Sequence, residues 1–327
     1  MATVDYERLA AELLRAIRGR RSQAAFARRV GCRSNAIYTW EAGRNFPTAA
    51  RAFYAAKRAG IDVPGALRRF YVRPPSWLDR SDPTRPPVLA RLLDDLRGKS
   101  SVQAIARSTG RSRFAVARWL KGQTEPRLPD FLRLIEGTSL RLLDFVACLV
   151  DPAQLPSVAA AWSNLEATRR AAYDAPWSQL FLRALELDAY RALRAHEPGW
   201  LAQRLGLGFE EEQRSLEVLL QSGQVVLDAG RYRPARVTTV DTRRDPDAAH
   251  RLRVFYSRVG AERLASDTAA ASAYNLFGVS RADLVRLREL QRAYFREMRA
   301  IIAESEPVEA IVLANLQLIQ LSQDPPA

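Results

Sequence analysis

Sulfur and imidazole are scarce in this 327-residue chain: two cysteines, two methionines and two histidines. Cys32 and Cys148 cannot build a disulfide framework, and His196 and His250 cannot complete a metal cage. Long apolar runs are missing too, since none approaches the ~18 residues that a membrane span needs. The opening MATVDYERLAAELLRAIRG has no basic n-region, continuous apolar core or cleavage site of a signal peptide. Catalytic signatures are equally absent: there is no Gly-x-Ser-x-Gly, no glycine-rich loop ending in Lys-Ser/Thr and no shared Cys/His motif. Gly206-Leu207-Gly208 is half of a dinucleotide pattern without its strand or third glycine. His196, beside Glu197 and Pro198 at a helix end, reads as a surface or capping histidine. The expectation is a cytoplasmic protein that is not an enzyme and needs neither metal nor cofactor. With 47% hydrophobic and 26% charged residues, the chain has ordinary globular composition and length for two to four small domains.

What the chain does have is positive charge, +14 overall. Nearly all of it is arginine, with Lys57, Lys99 and Lys121 the only lysines. Residues 1–72 hold 14 basic and 5 acidic groups, residues 73–155 hold 14 and 9, and residues 156–327 hold 22 and 22. The whole excess lies in the first 155 residues, the footprint expected of a surface that meets a polyanion.

That basic half is duplicated. Shifting the sequence by 79 residues aligns 10–54 with 89–133 without a gap, and 14 of the 45 positions are identical, among them Leu13/Leu92, Gly31/Gly110, Trp40/Trp119 and Pro47/Pro126. Chance would give roughly three. Between the copies lies RPPSWLDRSDPTRPP, residues 73–87, whose five prolines predict a semi-rigid linker.

Within the first copy, Leu9, Leu13 and Ile17 recur at helical spacing up to Gly19. A short helix follows, capped by Ser22 and carrying Phe26 and Val30 on one face. Gly31 supplies a turn that a side chain would obstruct. The next helix, 34–41, turns Ile37 and Trp40 inward and closes at Gly43. After Pro47 an alanine-rich helix covers 49–59. Short helix, glycine turn and second short helix at this spacing make a helix-turn-helix, with Ala27 as the small residue at the crossing and Cys32 in its core.

QAAFARRVGCRSNAIYTWEAGRNFP resembles the lambda-repressor/Cro-type helix-turn-helix, including its Trp-Glu-x-Gly-Arg close. VQAIARSTGRSRFAVARWLKGQTEP is similar but looser, with Thr109 and Arg111 where apolar residues are usual. The resemblance implies two tandem five-helix domains whose second helices enter the major groove and present outward side chains to base edges. Carried onto this sequence, the first unit's readers are Arg33, Ser34, Asn35, Tyr38 and Thr39. Gln23 and Arg44 hold the phosphates. The second unit's readers are Ser112, Arg113, Phe114, Ala117 and Arg118, with Gln103 and Lys121 on the backbone. Arg33 suits guanine, Asn35 adenine, and Phe114 and Ala117 a thymine methyl.

The neutral half differs. WSNLEATRRAAYDAPWSQLFLRALELDAYRAL predicts two helices with Trp177, Leu180, Leu185 and Leu187 buried. The segment from Pro198 to Val237 then reads as helix, turn at Gly206, helix and a two-stranded wing, Val225–Leu227 and Tyr232–Val237. It resembles a winged helix. Glu210, Glu211 and Glu212 open its second helix and would face phosphates, only partly offset by Arg231, Arg233 and Arg236, so it reads as structural or a dimer contact. In the tail a helix runs through Val254, Phe255 and Val259, and a strand is expected at 271–279. Ser280 opens a helix to about Ala303 with Leu284, Leu287, Tyr294, Met298 and Ile301 in one stripe. VEAIVLANLQLIQLS alternates partly like a strand. This half resembles a domain of unknown function found in putative bacterial transcriptional regulators.

The expected fold is mainly α: helix-turn-helix domains at 1–72 and 88–155, a winged-helix domain at 156–240, and a small α+β domain at 241–327. The expected function is a sequence-specific regulator of transcription binding double-stranded DNA on two unequal half-sites. Repression is the simpler outcome of operator occlusion, and a homodimer forms through the C-terminal half. Such a protein works on the nucleoid. Two alternatives stay open: a sequence-tolerant architectural DNA binder and an antitoxin- or inhibitor-type interaction module.

Overall fold

A computed structural model describes residues 4–71, 74–98, 100–235, 245–266, 272–303 and 305–322. The chain is mainly helical and divides into two compact units, Met1–Glu166 and Ala167–Ala327.

Both sequence copies lie in unit 1, each as five helices. The first comprises α1 (Tyr6–Arg18), α2 (Gln23–Val30), α3 (Ser34–Glu41), α4 (Ala49–Ala59) and α5 (Val63–Phe70). After α6 (Ser76–Asp79) come α7 (Pro86–Arg97), α8 (Val102–Thr109), α9 (Arg113–Leu120), α10 (Leu128–Ser139) and α11 (Leu142–Ala147). Helix α12 (Ala159–Asp174) spans the division between the units. Side-chain caps start many of these helices: Asp5 accepts from the Arg8 amide, Thr48 from Arg51, and Asp62 from Gly65.

The two copies are fused by a common core. Phe53 of α4 meets Phe131 of α10 and Phe145 of α11 edge-on, at 5.5 and 6.0 Å between ring centroids. Phe70 of α5 meets Phe145 at 5.4 Å. All four rings are buried. The contacts are reciprocal, for α1 packs on α10 and α7 on α4, and α1 corresponds to α7 as α4 does to α10. At the centre the Ala49 amide donates to Pro126 O and the Leu128 amide donates to Pro47 O, both at 3.0 Å. Thr48 and Arg127 pair antiparallel between them. Each partner in this exchange is 79 residues from its counterpart, so a pseudo-two-fold axis relates the copies and passes beside Thr48 and Arg127.

The proline-rich segment contributes to this core. Leu78 of α6 is buried in it, Trp77 lies beneath the Arg91 guanidinium, and Asp82 faces Lys57. Glu7 of α1 accepts from Arg133 of α10 at 2.7 Å, adding a polar contact between the copies.

Unit 2 continues with α13 (Pro176–Ala184), α14 (Asp188–Arg191), α15 (Trp200–Leu205) and α16 (Phe209–Gln221) around Phe181, Leu185, Leu187, Tyr190, Leu201 and Leu219. Trp177 and Leu180 are half-buried beside them. A hairpin of β1 (Val225–Asp228) and β2 (Arg231–Pro234) follows. Ala229 and Gly230 both have positive φ, as the tight two-residue turn requires. The expected end of the second strand, 236–237, lies outside the described residues, as does Arg236.

Helices α17 (Pro246–Ser266) and α18 (Arg281–Ala303) complete the unit. Ser280 caps α18, accepting from the Asp283 amide at 3.1 Å and donating to the Asp283 carboxylate at 2.8 Å. The expected α+β character of the C-terminal part is not found among the described residues. Residues 272–280 and 308–322 form no strand, for none of the described residues lies alongside them in a ladder. Of the five residues expected in one stripe of α18, Leu284, Leu287 and Met298 are half-buried, while Tyr294 and Ile301 are exposed.

Candidate nucleic-acid interface

The geometry of α2 and α3 follows from their ends. The Ser22 hydroxyl accepts from the Ala25 amide at 3.2 Å and begins α2. Gly31, at φ 71° and ψ 48°, ends it, and the Cys32 amide donates to Ala27 O at 3.0 Å. The chain therefore reverses in a few residues, and α3 packs across α2 with Ile37 and Trp40 buried. The second copy repeats each device. Ser101 caps α8, Gly110 turns at φ 64°, the Arg111 amide donates to Ala106 O at 3.1 Å, and α9 buries Val116 and Leu120. Here Ser112 also caps α9.

With the apolar faces of α3 and α9 committed to the core, the opposite faces are open. Arg33, Asn35 and Arg44 are exposed, and Tyr38 is 45% exposed with the Arg44 guanidinium 5.4 Å from its ring centroid. Thr39 is half-buried, its hydroxyl donating to Ala36 O at 2.9 Å. Ser34 starts α3, and its side chain lies outside the described ones. On α9, Arg113 and Arg118 are exposed and Ala117 is half-buried, while Phe114 is 82% exposed. Gln103 and Lys121 are exposed as well. Among the described residues Arg33, Arg44, Arg113, Arg118 and Lys121 make no ion pair. Five cations without an ion-pair partner thus lie on and beside two open helix faces.

Gln23 is placed differently from a simple phosphate anchor. Its amide donates to the Glu41 carboxylate at 2.8 Å. Glu41 is buried and also accepts from Arg18 at 2.5 and 3.2 Å, while Arg15 donates to the Glu41 carbonyl at 3.1 Å. This network fixes the C-terminal end of α3 against α1. In the second copy Leu120 occupies the position of Glu41, and Arg97, the counterpart of Arg18, turns to Asp94 at 2.7 Å. In the sequence Glu41 stands out only as part of a closing motif; the Glu41/Leu120 difference across the 79-residue register is the signal of its role. Arg111 fills the place of Cys32 by bonding Asp130 at 2.6 Å, so its departure from an apolar residue is satisfied within the copy. Arg127 donates to the Asn45 side chain and the Phe46 carbonyl, tying together the loops that meet at the pseudo-two-fold axis. The loop after α3 reaches that axis at Thr48 and the loop after α9 reaches it at Arg127.

In unit 2, α15, α16 and the hairpin hold a different polar arrangement. Glu212 is 1% exposed and accepts from the Gly199 amide at 2.9 Å and from the Ala202 amide, capping α15. Of the three glutamates that open α16, this one is therefore turned inward. His196 is mostly buried, not a surface residue, with Nε2 3.4 Å from Glu212 and its ring edge-on to Tyr232 at 4.8 Å. Burial pushes its pKa below the usual imidazole value, against the opposing pull of Glu212.

A family model described as a domain of unknown function (DUF4423) matches residues 157–321. No curated protein and no solved structure matches the chain.

Proposed function

The chain belongs to the DUF4423 family, and we propose that it is a sequence-specific regulator of transcription that binds duplex DNA through two helix-turn-helix units, α2–α3 and α8–α9. Unit 1 acts as a dimer contained in one chain. Its pseudo-two-fold axis sets α3 and α9 on two half-sites in inverted orientation, and the shared core makes their separation fixed. The observation that carries this reading is the reciprocal exchange of Ala49–Pro126 and Leu128–Pro47 hydrogen bonds between loops that directly follow α3 and α9. The open, unpaired arginines and the exposed Phe114 ring support direct contact with DNA.

The half-sites differ in sequence, because the outward positions differ: Arg33, Asn35 and Tyr38 in one copy stand against Ser112, Phe114 and Ala117 in the other. Occlusion of a promoter by such a complex makes repression the simpler outcome. In unit 2 the α15–α16–hairpin arrangement is a winged helix that serves structure and assembly, its Glu212 used in capping. DNA selection from a random duplex library at physiological salt, where nonspecific phosphate attraction is screened, tests the reading. Two unequal, inverted half-sites at one spacing are expected. Retention without any enriched motif overturns sequence-specific reading in favour of an architectural binder, and no retention overturns DNA binding.

A further inference from the structure

Unit 2 leaves a large apolar surface open. Most of the exposed large apolar side chains among the described residues fall between Tyr274 and Leu321. Tyr274 is 97%, Leu276 79% and Val312 82% exposed. Taken over full side-chain areas, the exposed apolar residues of this stretch amount to on the order of 1,500 Å² per chain. A stable interface needs about 800 Å² from each partner.

The surface is also incomplete in its hydrogen bonds. Residues 309–321 form neither helix nor strand, and among the described residues their backbone groups make no backbone–backbone hydrogen bond. Side chains nevertheless hold the segment in place. Asn315 donates to Tyr256 O on α17 and Gln317 to the Ser257 hydroxyl, both at 2.9 Å, while Gln291 of α18 donates to Leu316 O. Asn315 packs so closely on Gly260 that a Cβ there would lie 2.6 Å from its amide nitrogen. Beside Asn315 and Gln317, the apolar Val312, Ala314 and Leu316 are exposed. Residues 310–322 carry no charge, and neither do 272–280. A fixed, uncharged and apolar edge with open backbone groups is a template for a strand.

We infer that this edge and the apolar side of α18 are covered by a second copy of the same chain, giving a dimer that carries two complete α3/α9 pairs and bridges two DNA segments. A second copy fits because the summed open apolar area exceeds what each partner of a stable interface contributes, and the uncharged edge can pair with itself about a two-fold axis. The helix-turn-helix units need no such partner, since their own pairing is closed inside unit 1. The bridging rests on the DNA-binding reading above; the dimer does not.

Light scattering of the full chain without DNA, at low micromolar concentration, tests the dimer. Twice the single-chain mass of 36.7 kDa is expected. The double variant Val312→Glu/Leu316→Glu, at open positions, is expected to give the single-chain mass with an unchanged helical circular dichroism spectrum. A monomeric wild type overturns the inference, as does a variant that remains dimeric. For bridging, a bead-bound duplex is loaded with protein and offered a second, labelled duplex. The wild type is expected to capture it, whereas the variant holds only the first. A dimer that binds the beads without capturing the second duplex overturns bridging, and a dimer that binds no duplex overturns the DNA-binding reading while leaving the interface intact.

Discussion

Phe53 offers a direct perturbation of the bond between the two copies. It is 2% exposed on α4, and two of its neighbours, Phe131 and Phe145, belong to the other copy. Replacing it by alanine removes a buried ring and leaves a cavity between α4, α10 and α11, at a cost of about 3–5 kcal/mol. Each edge-on ring contact accounts for about 0.5–1.5 kcal/mol of that. A loss near 4 kcal/mol is a large part of the 5–15 kcal/mol that typically separates folded from unfolded domains, and corresponds to roughly a thousand-fold faster exchange of amides that open only by global unfolding. Because the ring sits in a core made by both copies, α8–α10 should lose protection as much as α2–α4. Hydrogen exchange of the full-length Phe53→Ala variant, read by mass spectrometry, makes the comparison. Protection lost in α2–α4 but retained in α8–α10 would refute the shared core and return the copies to independent domains on a tether.

The remaining predictions concern the helix faces, the buried Glu41 and the response to acid. Arg33→Ala with Asn35→Ala should relax sequence preference by about 1–3 kcal/mol per base pair read, while weakening nonspecific binding much less; competition binding against scrambled duplex measures both, and equal losses would count against base reading by α3. Glu41→Ala leaves Arg18 and Gln23 facing a void and should cost about 3 kcal/mol, whereas Glu41→Leu with Arg18→Leu, which imitates Leu120, should regain most of it in urea denaturation. Burial raises the pKa of the Glu12 carboxyl, but hydrogen bonds from the Ser157 hydroxyl and amide and from Arg8 outweigh it and hold the group below its usual value. A folded-state pKa below the unfolded one means stability that is present above the unfolded value and lost as pH falls through the folded one. The difference in urea midpoint between wild type and Glu12→Gln should therefore be clear at neutral pH and vanish below the carboxylate range; a difference independent of pH would show that Glu12 acts by shape alone.

Much of unit 1 was legible because its local devices are carried by single residues. Ser22 and Ser101 cap, Gly31 and Gly110 turn, and the apolar spacing around Ile37 and Val116 marks the inward faces. The 79-residue register even aligns the loops that meet at the axis. The fusion of the copies was not legible, because the aromatic residues that make its core are not the repeated ones. Phe131 and Phe145 stand where the first copy has Ala52 and Ala66, and Phe53 and Phe70 where the second has Leu132 and Leu149. Large residues in one copy are answered by smaller ones in the other, so the core is complementary without being identical. The same limit hid Gln23, whose partner Glu41 lies on the next helix. In the tail, alternation at 308–321 pointed to a strand that the described residues do not form, since pairing depends on a neighbour that the pattern of one segment does not specify.

The most direct test of a rigid, inverted pair of reading helices is the affinity of the full chain for its selected site, compared with the same site carrying about five extra base pairs, half a helical turn, between the half-sites. The fixed axis at Thr48 and Arg127 predicts that the insertion turns one half-site away and reduces binding to that of a single half-site. Unchanged affinity would mean that α3 and α9 move independently, contradicting the account.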